Sequence, residues 1–258
     1  MGPAADEVGV LGKALDVLEA LTRDGELGAA ELAERTGVTR PAVYRILNTL
    51  TRRGYVSVHP GPGGSRRYVL GPAVYAFAGA LNRTGGLQRL ARPIMRELAA
   101  RFGETVNLAV LSDHRVLYID MIESDQPLRT IVGIGSTDDV HSTALGKAML
   151  AVLAPEAART ILTHVDRSPR TPKTKADVDE LLADVAAAAQ RGYAVDDEES
   201  SLGSRCVAAA VVGADGGPLG AISIDGPVAR VPTELLHEMG RTLRESCAEL
   251  SAQLHGGG

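Results

Sequence analysis

Residues 25–56 read GELGAAELAERTGVTRPAVYRILNTLTRRGYV, and this stretch decides the fold of the N-terminal part of the chain. Its apolar spacing predicts a helix over 29–36 and, after a turn, a second helix that runs to about residue 53. Thr39 suits the N-cap position of the second helix, and Pro41 suits its first turn. Two short helices joined by a tight turn are typical of a helix-turn-helix.

The flanking segments complete this N-terminal unit. Apolar residues recur at helical spacing over 10–21 and predict a preceding helix. After the second helix, 55–59 and 67–70 are predicted as two strands that enclose the turn PGPGGS. Together these elements predict a winged helix-turn-helix domain over 8–71.

Charge is distributed unevenly along the chain. The formal net charge is −5, from 27 Lys and Arg against 32 Asp and Glu. Residues 35–70 nevertheless hold seven arginines and no acidic residue, so the rest of the chain has 20 basic against 32 acidic residues. A basic segment on an acidic body is typical of a protein that binds a polyanion such as DNA. A solvated, arginine-rich face is the alternative interpretation.

The second predicted helix has the features of a recognition helix. The apolar residues Ala42, Ile46, Leu47 and Leu50 can face the domain core, which leaves the other side chains, Val43 included, facing outward and free to reach base edges and phosphates. Arg and Asn can make bidentate contacts with bases, whereas Arg45 and Arg52 suit phosphates and Arg66 lies at the tip of the wing. The predicted DNA contacts are Thr39, Arg40, Pro41, Val43, Tyr44, Arg45, Asn48, Arg52 and Arg66. A winged helix used for protein contacts is the alternative.

Beyond residue 71, the pattern predicts a linker helix over 72–86 and a second domain over 87–255. The helices predicted there are 87–102, 143–153, 175–192 and 233–254. The predicted strands are 106–111, 116–122, 128–132, 193–195, 206–212 and 219–224. This order of elements indicates an α+β domain with a largely antiparallel sheet.

Length and composition exclude several classes of protein. The 258 residues suffice for two domains, and 45% of them are apolar, so a disordered chain is not expected. The two cysteines, Cys206 and Cys247, form no disulfide framework and fit a reducing compartment. Neither a signal peptide nor a run of about 18 apolar residues is evident, so we expect a soluble cytoplasmic protein with no membrane partner.

Several segments together are similar to one family. These are 25–56, the wing ending in YVLGP, VHSTALGKAMLAVL at 140–153 and GYAVDDEESSLGSRCVAAAVVGADGGPLGAISIDGP at 192–227. Over nearly its whole length the chain resembles the IclR family of bacterial transcription regulators. The resemblance implies a GAF-like effector-binding domain, a DNA operator as partner, dimerisation through the DNA-binding half and often a homotetramer on palindromic operators.

The resemblance also implies where a small metabolite effector would bind. The implied effector-binding residues are Ala144, Leu145, Gly146, Asp196, Cys206, Ser223 and Asp225. In members that bind small 2-oxo acids a serine is implied where this chain has Asp225, and small residues are implied where it has Ala144 and Leu145. These departures argue against a glyoxylate-like or pyruvate-like ligand. Gly146, at a helix start, could expose backbone amides to an anion.

The alternation of side chains along a strand supports the same effector site. Asp225 lies two residues after Ser223 and therefore shares its strand face. Two carboxylates, Asp196 and Asp225, would repel a compact carboxylate ligand unless a cation such as Arg129 or Arg205 intervened. We therefore hypothesise a ligand with hydroxyl or amine donors, such as a polyol, a sugar derivative or an amino compound. A larger anion that reaches the amides of the capping helix is the alternative.

An enzyme is the rival class. Cys206 and His141 could act as nucleophile and base, and the acidic run 196–199 could bind a metal. A buried cysteine is more often a small hydrophobe, a histidine at a helix start is more often structural, and such an acidic run is more often a solvated loop. We therefore predict a non-enzymatic transcription regulator with no catalytic residue, metal or cofactor, and the basic segment disfavours a pure interaction scaffold.

Overall fold

A computed structural model describes residues 9–74 and 86–255. Contacts group the chain into two compact units, Met1–Thr84 and Gly85–Gly258. The linker helix predicted over 72–86 falls almost entirely on 75–85, outside the described residues. Within the two described ranges, no helix is both long enough and apolar enough to cross a bilayer.

Three helices and a small sheet form the first unit. The helices are α1 (Gly9–Asp24), α2 (Ala29–Thr36) and α3 (Arg40–Arg52). The strands are β1 (Leu27–Gly28), β2 (Val56–Pro60) and β3 (Arg66–Leu70), which pair antiparallel in the order β1-β3-β2. This arrangement confirms the predicted winged helix-turn-helix, and β1 is a short strand that the sequence pattern did not predict.

The turn between α2 and α3 depends on backbone geometry. Gly37 ends α2 with a φ of 68°, in the left-handed region that glycine adopts without strain. Thr39 occupies the N-cap position of α3, but its side chain forms no capping hydrogen bond, and its carbonyl accepts the Val43 amide at 3.0 Å. Pro41 lies in the first turn, where its missing N–H is not needed.

The buried face of α3 differs from the prediction at one residue. Val43 is 0% exposed and packs with Ile46, Leu47 and Leu32 in the core of the first unit, so the prediction that it faces outward is wrong. Val43 lies three residues before Ile46 and four before Leu47, which places all three on one helix face. Ala42, predicted to face inward, is only partly buried.

The wing is held to α2 by an ion pair. Arg67 Nη1 lies 2.6 Å from Glu31 Oε2, and the same oxygen accepts the Gly28 amide at 2.6 Å. Arg67 Nη2 also donates to the Glu26 carbonyl at 2.7 Å. Arg67 is therefore engaged within the fold, unlike Arg66 beside it, which is exposed.

A six-stranded antiparallel sheet forms the centre of the second unit. Its strands are β4 (Thr105–Ser112), β5 (Arg115–Ile122), β6 (Thr137–Asp139), β7 (Ala194–Asp197), β8 (Ser204–Val212) and β9 (Pro218–Pro227), in the order β6-β5-β4-β9-β8-β7. The helices are α4 (Gly86–Phe102), α5 (Ala144–Leu150), α6 (Pro155–His164), α7 (Val178–Arg191) and α8 (Thr233–His255). The α+β class with an antiparallel sheet is confirmed.

The two faces of this sheet have different partners. One face packs against α4 and α8, and Ile222 and Ile224 of β9 belong to that core. The other face packs against α5 and contains Ala221 and Cys206. The alternation predicted along β9 is therefore confirmed, and Asp225 lies on the α5 face, where it lines a cavity.

Two elements differ from the prediction. The strand predicted over 128–132 is wrong, because this segment has no regular structure, and the edge strand lies later, at Thr137–Asp139. Leu128 and Ile131 are exposed there, whereas Val132 turns toward the cavity. The helix Pro155–His164 was not predicted at all, although proline at its start is a common signal.

Candidate functional site

The outer face of α3 presents a row of exposed side chains. All the predicted DNA contacts except Val43 are exposed, and Tyr44 is 56% exposed. Arg40 and Tyr44 lie one turn apart on the same face, with Asn48 one turn further on. Arg66 is exposed at the start of β3. An exposed helix face of arginine, tyrosine and asparagine can approach both base edges and phosphates.

The second unit contains a cavity of about 320 Å³ on the α5 face of the sheet. Of the predicted effector contacts, Leu145, Asp196, Cys206 and Asp225 line it. The sheet register brings the last three together, since Asp225 pairs with Cys206 across β9 and β8, and Cys206 pairs with Asp196 across β8 and β7. Residues directly opposite in paired strands point to the same side of a sheet, so these three side chains form a row.

Asp225 is held by two donors. Its Oδ2 accepts hydrogen bonds from Asn107 Nδ2 at 2.6 Å and from Ser223 Oγ at 2.7 Å. Ser223 is 0% exposed and is not part of the cavity lining, so it acts on the cavity only through its hydrogen bond to Asp225. Burial raises the pKa of Asp225, although these hydrogen bonds act in the opposite direction.

Asp196 anchors the loop after β7. Its Oδ1 accepts the Glu199 amide at 2.7 Å and the Ser200 amide at 3.2 Å, and its Oδ2 accepts the Ser200 hydroxyl. Burial raises its pKa to about 6, against the effects of these hydrogen bonds and of the Lys147 charge. The expectation of a solvated acidic loop is wrong for Asp196 and Glu199, which are 3% and 4% exposed.

The thiol and the phenol of the cavity wall are held in their protonated forms. Burial and the nearby charge of Asp225 raise the pKa of Cys206 well above its usual value. The same two causes raise the pKa of Tyr118. Cys206 therefore has the character of a buried neutral side chain, and the Tyr118 ring lines the same cavity.

The start of α5 does not offer a free amide at Gly146. The Gly146 amide donates to Thr143 Oγ1 at 3.1 Å, and a side chain there would collide with the Val140 backbone. The prediction that Gly146 exposes its amide to an anion is therefore wrong, and glycine is needed for close packing instead. Ala144, 0% exposed, belongs to the apolar core beside the cavity.

The structure also separates the two arginines considered for the cavity. Arg129 lies in the segment before Val132 and lines the cavity, with weak contacts at 3.4 Å to Glu123 and 3.3 Å to the Gln126 carbonyl. Arg205 instead pairs with Asp197 at 2.6 Å. Arg129 is thus the cation of the cavity wall.

Two further residues near the site were missed by sequence reasoning. Asn107 lines the cavity and is 1% exposed, yet its Oδ1 has no hydrogen-bond partner among the described residues. Lys147, on α5, is also 1% exposed, and its Nζ lies 2.8 Å from Asp184 and 2.7 Å from Glu199. A polar residue in an apolar segment was the only signal in the sequence.

His141, the candidate base, lies just before α5. His141 is fully buried, which lowers its pKa, and neither ring nitrogen has a hydrogen-bond partner among the described residues. Across residues 9–74 and 86–255, no group of three or more potential ligands could hold a metal ion.

The fold and the sites together define a class of protein. A winged helix-turn-helix with an arginine-rich outer face, in one chain with a unit that encloses a ligand-sized cavity, is the organisation of a one-component transcription regulator. Residues 10–60 match the IclR helix-turn-helix domain, and residues 80–252 match the bacterial transcriptional regulator IclR C-terminal domain. The chain therefore belongs to the IclR family of bacterial transcriptional regulators.

Individual relatives agree with this assignment. The chain is 32% identical to the HTH-type transcriptional regulator BhcR of Paracoccus denitrificans, over 96% of this chain and 88% of that protein. It is 31% identical to the transcriptional repressor IclR of Escherichia coli, over 96% and 91% of the two chains. The crystal structure of Thermotoga maritima IclR superposes with a TM-score of 0.81 at 27% identity, covering 96% and 99%. The protein is thus a DNA-binding transcription regulator with an effector-binding C-terminal domain.

Proposed function

We propose that the chain represses transcription in the cytoplasm by binding a two-fold operator, and that a small metabolite in the cavity beside Asp196 and Asp225 changes its operator affinity. One observation carries this proposal: the chain combines an exposed, arginine-rich α3 face with a cavity of about 320 Å³ lined by buried polar groups. A cavity of this size fits a small metabolite. The relatives that are named as repressors support the direction of control.

DNA contact is assigned to the exposed side of α3 and to the wing. Arg40, Tyr44 and Asn48 are assigned to base edges in the major groove, because they share the outer helix face. Arg45 and Arg52 are assigned to phosphates, and Arg66 to a phosphate or the minor groove next to the wing. Thr39 and Pro41 bring the start of α3 close to the backbone of the duplex.

Self-association is assigned to α1. Its residues Val10, Leu11 and Leu15 are 74%, 59% and 49% exposed, whereas Val17 and Leu21 fill the core. An exposed apolar stripe on a helix is typical of an interface. A dimer through this stripe would match a two-fold operator, and a second contact between dimers would give a tetramer.

We assign no catalytic role to Cys206. A nucleophilic cysteine needs a lowered thiol pKa and a base in contact, and burial acts on Cys206 in the opposite direction. The buried His141 is favoured as a structural residue. The cavity therefore fits binding better than covalent chemistry.

Selection of bound fragments from genomic DNA tests this proposal. Fluorescence anisotropy on the selected duplex measures operator affinity, and thermal-shift screening of the full chain identifies metabolites that stabilise it. We expect a stabilising metabolite to change operator affinity. Specific binding that no stabilising metabolite alters would contradict effector control, and the absence of any enriched fragment would contradict operator binding.

A further inference from the structure

Asp225 fixes the orientation of the Asn107 side chain. Asn107 Nδ2 donates to Asp225 Oδ2 at 2.6 Å, and the reversed amide would place two oxygen acceptors against each other. The Asn107 oxygen is therefore the atom left without a hydrogen-bond partner among the described residues. A buried acceptor without a partner is costly, so the cavity wall favours a ligand that brings a donor.

The carboxylates that line the cavity beside Asn107 are acceptors too. Asp138, Asp196 and Asp225 all line the cavity, and Asp196 and Asp225 are 3% and 8% exposed. The Ser200 and Ser223 hydroxyls are not free to donate to a ligand, since each donates to one of these carboxylates. The Tyr118 hydroxyl can donate or accept a hydrogen bond, so it does not discriminate between ligands with donors and ligands with acceptors.

The opposite charge lies nearer to solvent. The Arg129 side chain is 33% exposed, far more than the buried carboxylates, and it lines the same cavity. Its contacts to Glu123 and Gln126 are long, so its guanidinium can bind a carboxylate of the ligand. The cavity is thus acidic and accepting at its buried end and cationic toward its exposed end.

We propose that the effector is a small carboxylate that also bears an ammonium or hydroxyl donor, with the donor at Asn107 and Asp225 and the carboxylate at Arg129. This inference rests on the proposed effector site and names its ligand class. A 2-oxo acid presents a carbonyl acceptor where the wall offers acceptors, so it binds less well than its amino or hydroxy counterpart.

Matched ligand series test the proposal on the full chain. Each series differs only at carbon 2: alanine, lactate and pyruvate, and then leucine, 2-hydroxy-4-methylpentanoate and 4-methyl-2-oxopentanoate. Calorimetry at about pH 8, above the Asp196 pKa of about 6, keeps that carboxylate ionised. We expect, in at least one series, the amino or hydroxy acid to bind at least about tenfold more tightly than the oxo acid.

Two variants separate the ends of the cavity. Asp225→Asn keeps the shape of the cavity but allows the Asn107 amide to reverse. The preference for the amino or hydroxy acid over the oxo acid should therefore fall to about threefold or less. Arg129→Gln should lower the affinity for leucine by about tenfold or more. Leucinol, which lacks the carboxylate, should bind the variant and the unmodified chain equally. Retained preference in Asp225→Asn, or equal loss of leucinol in Arg129→Gln, would overturn the assignment of that end.

A matched pair distinguishes failure of this inference from failure of the proposed site. Val132→Trp fills the cavity from the irregular segment, whereas Ile131→Trp adds the same bulk at a side chain that is 57% exposed. If binding survives Val132→Trp, the effector-site assignment is wrong. If Val132→Trp abolishes binding but the oxo acid binds best, only the ligand class is wrong. No detectable binding of any donor-bearing member would also overturn the ligand class.

Discussion

Lys147 and Glu199 form a buried ion pair, with 2.7 Å between Nζ and Oε1. Asp184 and Lys175 join it, at 2.8 Å from Lys147 and 3.1 Å from Glu199 respectively. The backbone amide of the same Glu199 donates to Asp196, so this cluster holds α5 and α7 to the loop that forms one wall of the cavity. The shape of this cavity wall thus depends on a cluster of charges that does not itself line the cavity.

Lys147→Met should destabilise the protein strongly. Removing Lys147 leaves two buried or partly buried carboxylates, Asp184 and Glu199, to share the single charge of Lys175, at a cost of about 3 kcal/mol. Urea denaturation followed by far-UV circular dichroism measures the free energy of unfolding, since the chain has no Trp. Lys173→Met is the control, because the side chains of Lys173 and its partner Glu198 are 47% and 20% exposed, far more than those of Lys147 and Glu199. Equal, small effects of the two substitutions would show that the buried cluster is not a source of stability.

Asp196→Asn should change the pH dependence of stability. The folded pKa of Asp196 is raised to about 6, so between about pH 4 and about pH 6 the native state keeps a proton that the unfolded chain releases. The Asp196 contribution to stability is therefore present at low pH and is lost as pH rises through this window. The free energy of unfolding of the variant, minus that of the unmodified chain, should rise by up to about 3 kcal/mol between about pH 4 and about pH 7. A difference that stays flat or falls would refute the raised pKa.

Arg40→Ala and Arg52→Ala should affect DNA binding in different ways. Arg40 is assigned to a base, so its loss should weaken specific binding by about 1–3 kcal/mol and relax one operator position. Arg52 is assigned to a phosphate, so its loss should weaken all sequences alike and reduce the salt slope by about 1. Anisotropy on the operator, a mutated operator and random DNA at several salt concentrations measures both effects. Arg23→Ala, exposed on α1 outside the basic segment, should change neither, and unaltered affinity in the first two variants would rule out α3 as the reading helix.

Leu15→Glu should break the proposed dimer. Leu15 and Leu11 lie one turn apart on the exposed face of α1, and a carboxylate in an apolar interface is costly to desolvate. Sedimentation analysis should find the unmodified chain at least dimeric at micromolar concentration and the variant shifted to monomer, with weaker operator binding. Asp16→Lys changes the charge of α1 outside this stripe and should leave the dimer intact. A chain that is monomeric before substitution and still binds the operator tightly would contradict the assignment.

The fold was largely predictable because local signals agreed with the final packing. Gly37, Pro41 and the spacing of apolar residues on α3 each indicate the same helix-turn-helix, and the alternation along β9 placed Asp225 on the correct face. The pattern was misleading over 128–132, where the apolar residues Leu128 and Ile131 predicted a strand but are exposed. Of the apolar residues in this segment only Val132 lines the cavity, so the segment has no buried face of the kind a strand presents.

The site was only partly predictable, because pairing register and side-chain contacts are set by tertiary structure. The row of Asp225, Cys206 and Asp196 depends on how three strands align, which no local pattern specifies. Asn107 lies in an apolar strand, and its role in the cavity wall follows only from its contact with Asp225, which is distant in sequence. The choice of Arg129 over Arg205 likewise depends on where an irregular segment folds.

Coupling between the cavity and the operator is the central claim, and one thermodynamic cycle measures it. Operator affinity is determined with and without the tightest-binding probe of the matched series, and probe affinity is determined with and without the operator duplex. Linkage requires the change in operator affinity caused by the probe to equal the change in probe affinity caused by the operator. We predict that both affinities change by a factor of at least about five for the unmodified chain and for Ile131→Trp. In Val132→Trp the probe should have no effect. Ratios of one in both directions, for a probe that Val132→Trp excludes, would show that the cavity binds a ligand without controlling DNA binding, and would contradict the account.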